Sequence, residues 1–156
     1  MLRIALLTVS LALLAPHVSL AQSIEGVWRL VEREVQGGPN PRMESGSLIQ
    51  PGLLIYTEGY FAYLIDNSTE PRPVLEQPTD AQIVALINPL AFAAGTYQLD
   101  GSTLRYDRMT NINPNGALPE NQPLVRQLEN LTSNRLETSL TNANGVKTIL
   151  KYTRVE

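Results

Sequence analysis

The chain has 156 residues, 17% of them charged, with a formal net charge of −3 and no cysteine. The missing cysteine excludes disulfides, thiolate metal sites and cysteine nucleophiles. The mild acidity gives no general attraction for nucleic acid or anionic lipid.

Residues 1–21, MLRIALLTVSLALLAPHVSLA, carry one basic residue, Arg3, then an apolar run from Ile4 to Leu14. They end in Ser19-Leu20-Ala21, a small-x-small cleavage pattern, and read as a secretory signal peptide cut before Gln22. The run is short for a bilayer span and Pro16 breaks it. Residues 22–156 are then one domain, periplasmic or secreted, with no integral membrane segment. The one histidine, His17, leaves with the signal peptide, and the loss of Arg3 moves the charge from −3 to −4. Without histidine there is no Ser-His-Asp triad, no imidazole acid–base catalysis and no histidine metal site. No cofactor is expected.

The first strand is IEGVWRLVEREV, 24–35, followed by a long polar, Pro/Gly-rich loop at 36–52. LLIY (53–56) and YFAYLID (60–66) form a hairpin around Thr57-Glu58-Gly59. A second long loop, 66–78, holds three prolines. Thr79-Asp80-Ala81-Gln82 has capping-box form, and Ile83, Val84, Leu86, Ile87 and Leu90 share one face, so a short helix is predicted up to Asn88-Pro89. Its apolar stripe is expected to pack on the outside of the domain or to cap one mouth. Strands resume at 95–100 and 102–112, and after the loop 113–122 at 123–131 and 135–142. Asn144-Gly145 turns the chain into the last strand, 146–155.

These are eight strands, mostly in hairpin order. The expected fold is all-β, an eight-stranded antiparallel up-and-down β-barrel with one short helix. Closure removes the two edges that a flat sheet of this length leaves unpaired.

Gly26-x-Trp28 at the start of the first strand resembles the signature of the lipocalins and the wider calycin group. The stretches IEGVWRLVE, PGLLIYTEGYFAYLI, AAGTYQLDGSTLRY, NPNG, VRQL and LKYTRVE are similar, in this order, to those of the bacterial lipocalin-like domain family. The resemblance covers most of 24–154. It implies that Trp28 closes one barrel end, that Gly26 belongs to the same closure, and that Arg154 lies across the indole. The family often carries a histidine pair where this chain has Tyr106 and Asp107, so a histidine-dependent role is not carried over.

Strand alternation gives an expected interior. With Trp28 inside, Leu30 and Glu32 follow; then Tyr60, Ala62 and Leu64; Leu104, Tyr106 and Arg108; Leu124, Arg126 and Leu128; Leu136, Thr138 and Leu140; Thr148, Leu150 and Tyr152. The polar members Glu32, Tyr60, Tyr106, Arg108, Arg126 and Tyr152 are the candidate ligand-binding residues. An interior arginine cannot shed its charge, so it needs a carboxylate or an anionic ligand. The sharper expectation is an amphiphilic acid, its head on Arg126 or Arg108 and its tail on leucines. The plainer one is internal neutralisation, by Glu32 or another acid, in a filled barrel.

The leading expectation is a secreted or periplasmic binder of a small hydrophobic or amphiphilic molecule, with the loops 36–52 and 66–78 as its lid. Two alternatives stay open. One is a protein-interaction or inhibitor barrel; the other is a calycin-type isomerase or cyclase using tyrosine, glutamate and arginine. No catalytic residue is assigned.

Overall fold

Residues 23–156, which the computed structural model describes, form nine strands and one α-helix. The predicted signal peptide and its cut lie outside the described residues. The strands are β1 (Gly26–Gln36), β2 (Arg42–Ser45), β3 (Gly52–Thr57), β4 (Tyr60–Asp66), β5 (Leu90–Asp100), β6 (Thr103–Asn111), β7 (Leu124–Leu131), β8 (Arg135–Thr141) and β9 (Lys147–Arg154). The helix α1 runs Asp80–Ile87 between β4 and β5.

Strands β1 and β3 to β9 pair antiparallel in sequence order, and β9 returns to β1, from Trp28↔Arg154 to Gln36↔Lys147. That closes the predicted eight-stranded barrel and pairs both would-be edges. Strand β2, inside the stretch predicted as loop 36–52, is additional. β3 pairs only with residues 26–29 of β1, and β2 takes over the same edge at 32–35, with Arg33↔Glu44 and Val35↔Arg42.

Three bulges shift register, between Leu30 and Glu32, between Ala94 and Gly95 against β6, and between Leu128 and Asn130. The first matters most for function. Leu30 faces Tyr152, then Glu32 faces Lys151 and Arg33 faces Leu150. An extra residue in one strand reverses the inside–outside phase beyond it. Arg33 therefore turns inward, where alternation predicts Glu32.

The core consists of Ile24, Trp28, Leu30, Leu54, Tyr56, Phe61, Ile65, Ala93, Leu104, Tyr106, Leu136, Leu150 and Tyr152. The helix has its predicted capping box: the Thr79 hydroxyl accepts from Gln82 N at 3.4 Å, and Thr79 N donates to Gln82 Oε1 at 2.8 Å. Its apolar stripe does not pack as expected, since Ile83, Val84 and Ile87 are exposed and no helix residue is fully buried. Instead the loop 66–78 folds against it, with Arg72 Nη2 donating to Leu86 O at 3.0 Å. The strand after it starts at Leu90, five residues before the predicted 95, because Asn88-Pro89 ends the helix and leads straight into the sheet.

Candidate functional site

The two ends of the barrel differ. At one end Trp28 is wholly buried, its indole N–H donates to Ile24 O at 2.8 Å, and the Arg154 guanidinium carbon lies 4.1 Å from the ring centroid. Arg154 also donates to the carbonyls of Ser133 (2.6 Å), Ser23 (2.9 Å) and Glu25. Gly26 holds a φ of +135° there, and a Cβ on it would collide with the Arg154 guanidinium and the Glu156 carbonyl. The Gly-x-Trp spacing thus lets one arginine seal the end by cation–π attraction and three carbonyl contacts. Above the seal, Tyr56, Tyr97, Phe61 and Tyr106 form an edge-to-face pile, with centroid separations of 4.7 Å for Tyr56–Tyr97 and for Phe61–Tyr106. The Tyr56 and Tyr106 hydroxyls bond each other.

The opposite end is hollow. A cavity of about 350 Å³ is lined by Arg33, Val35, Arg42, Tyr63, Ile65, Asn67, Ala91, Arg126, Leu140, Thr148 and Leu150. Arg42, from the stretch 36–52, and Asn67, from the stretch 66–78, stand at its rim. Arg33 is almost fully buried, bonded to Glu44 at 2.9 Å and, through Nη2, to Asp66 O at 3.2 Å. Glu44 also holds Arg42 at 2.7 Å. Arg126 is different: its Nη1 is buried and has no hydrogen-bond partner among the described residues.

Of the six candidate residues, Arg126 alone lines this cavity. Tyr106 and Tyr152 are buried in the core beside it. Arg108 is half-buried but occupied, since Nε reaches Gln122 Oε1 at 3.4 Å and Nη2 bonds Asn121 O. Glu32 and Tyr60 are corrections. Glu32 lies on the outer face, where it shares Lys151 with Glu34, because of the bulge after Leu30. Tyr60 is 55% exposed, and with it Ala62 and Leu64 fall outside. The two-residue turn Glu58-Gly59 pairs Thr57 with Tyr60 and Tyr56 with Phe61, so Phe61, Tyr63 and Ile65 face inward.

Arg33, Glu44, Arg42 and Tyr63 belong to the site and were not selected from the sequence. Tyr63 had a signal: the alternative strand face carries Asp66, an unfavourable member of an apolar interior. Arg33 had none, since Glu32-Arg33-Glu34 is polar in either phase.

Burial pushes the Tyr56, Tyr106 and Tyr152 hydroxyls above the ordinary tyrosine range, against the opposing pull of Arg126, and burial also raises Tyr97. All four stay protonated donors at neutral pH. For a tyrosine raised in the folded state, the unfolded chain ionises first. Stability should therefore be independent of these groups below about pH 10 and fall as the pH rises above it. In an alkaline titration, tyrosinate absorbance from the buried rings is expected to appear together with loss of β-sheet circular dichroism. Ionisation of all six tyrosines near pH 10 with the sheet intact would contradict their burial.

No family model matches the chain, and no curated protein matches it. Among solved structures it is similar to a lipocalin-like protein from Bacteroides uniformis, with 14% identity over 81% of this chain and 96% of that one and a TM-score of 0.44. It is also similar to an uncharacterized protein from Bacteroides eggerthii, with 12% identity over 83% and 98% of the two chains and a TM-score of 0.45.

Proposed function

We propose that this chain is an exported lipocalin-like barrel, periplasmic or secreted, that sequesters a small hydrophobic or amphiphilic molecule in the mouth cavity. The supporting observation is the division of the interior. The Trp28 end is packed solid, while the Arg126 end keeps about 350 Å³ open. Protein interiors rarely leave voids larger than a water molecule, and ligand pockets begin near 300 Å³. A filled core at one end and an open-mouthed cavity walled by core residues at the other therefore favour an occupant. Arg42 and Asn67 put both long loops at the rim, where they can retain it. Among the described residues no helix is long and apolar enough to cross a membrane.

Ala91 is half-buried on the cavity wall and makes a clean test. Ala91→Phe should fill the space, keep or raise the melting temperature, and weaken binding at least tenfold in a ligand-observed NMR screen of small apolar and amphiphilic molecules. Equal binding by both proteins would move the site elsewhere.

One observation favours a second reading, a protein-interaction barrel. Leu53, Leu64, Phe92 and Ile112 are 41%, 50%, 36% and 40% exposed in a row across β3 to β6. Leu53 and Leu64 also border an outer groove of about 620 Å³ beside β1. Contiguous exposed apolar surface marks contact sites. Leu64→Lys separates the readings, since it should leave small-molecule binding unchanged and abolish any partner binding on that face.

A further inference from the structure

We propose that the ligand is a compact carboxylate held head-first at the inner end of the cavity by Arg126. This rests on the reading that the mouth cavity is the binding site. Four observations carry it.

Arg126 Nη1 is a buried donor on a permanent cation with no partner among the described residues. A buried guanidinium N–H without an acceptor is costly, and on a permanent cation it favours an anionic partner. The two other arginines of the cavity are already served: Glu44 bonds Arg33 at 2.9 Å and Arg42 at 2.7 Å. No carboxylate lines the cavity itself. Arg33 and Arg42 share the single charge of Glu44, so the cavity is net positive, and the unpartnered Nη1 of Arg126 offers a donor to a carboxylate oxygen.

The polarity of the cavity sets the orientation. Arg126 stands opposite the wholly buried Leu104 of β6, and its Nη1 is itself buried, so that end of the guanidinium lies toward the packed interior. The Tyr63 ring and the Thr148 hydroxyl line the same space and supply further polar atoms. Val35, Ile65, Ala91, Leu140 and Leu150 provide apolar wall for the rest of the ligand. The volume of about 350 Å³ sets the size: a ring or a short branched chain fits, and a long acyl chain does not. Of the leucines expected to hold such a tail, Leu140 and Leu150 do line the cavity, whereas Leu104 and Leu136 are wholly buried in the packed core.

The test is calorimetric titration of the full folded protein with benzoate, cyclohexanecarboxylate and 1-naphthoate, their neutral isosteres benzamide and benzyl alcohol, and phenyl phosphate. Wild type is compared with Arg126→Met. The variant removes a partly buried guanidinium whose Nη1 has no partner, so it should fold with an equal or higher melting temperature. The carboxylates should bind wild type at least about tenfold tighter than the neutral isosteres, and Arg126→Met should abolish that advantage. Neutral isosteres binding as well as carboxylates, with Arg126→Met without effect, would overturn the carboxylate assignment and leave the cavity reading intact. Tighter binding of phenyl phosphate would overturn the carboxylate assignment in favour of a phosphate head. Binding of no compound at all would overturn both this inference and the cavity reading.

Discussion

Trp28→Ala is expected to destabilise the barrel by about 3–5 kcal/mol, the range for emptying a large aromatic site from a core. Trp28 is fully buried, so the loss includes both transfer energy and the void left behind. It also strips Arg154 of the ring 4.1 Å beneath it and leaves Ile24 O without its 2.8 Å donor. The first and last strands meet at Trp28↔Arg154, so the damage falls on the seam that closes the barrel. Urea unfolding measures the change directly. Arg154→Ala should cost less, and the double variant less than the sum of the two, because each single change already breaks the shared contact. Strict additivity would show that the tryptophan and arginine act independently, against the closure described here.

Glu44→Ala is expected to cost about 3 kcal/mol or more, because removing one partner of a buried ion pair leaves the other charge unmatched. The pair is well buried, with side-chain exposures of 4% for Arg33 and 12% for Glu44. Glu44 also bonds Arg42, and among the described residues β2 pairs with β1 alone. The loss should thus be local first, with the amides of 42–45 exchanging faster than those of β9. The double change Arg33→Met with Glu44→Leu should recover most of the stability, since the cost lies in the stranded charge rather than in the missing bond. Failure of the double variant to recover would assign the effect to β2 pairing instead.

The fold was largely legible because its signals are local. Asn144-Gly145, Asp100-Gly101 and Glu58-Gly59 each force a reversal, and Thr79 with Gln82 fixes the helix start. The interior phases of β6, β8 and β9 followed from alternation, with Leu104, Leu136, Leu150 and Tyr152 buried as expected. The site was less legible because bulges decide it. One extra residue at Val31 puts Arg33 in the cavity and Glu32 on the surface beside Lys151. Nothing in a polar run marks that position. β4 offered two apolar faces, and only the pairing of Tyr56 with Phe61 chooses between them. β2 was hidden because four residues, RMES, carry no strand pattern of their own and form only on the template of β1. The inward phase of Arg126 was legible because its neighbours Leu124 and Leu128 fix it on one side of a short strand, ahead of the bulge at Glu129.

The most direct measurement of the central claim is native mass spectrometry of the protein purified from its native cells, alongside Ala91→Phe. A small-molecule adduct retained by wild type and missing from the variant is the predicted result, and its mass would identify the occupant. A wild-type spectrum free of adduct, and still free after challenge with carboxylates and their neutral isosteres, would contradict a ligand-holding barrel.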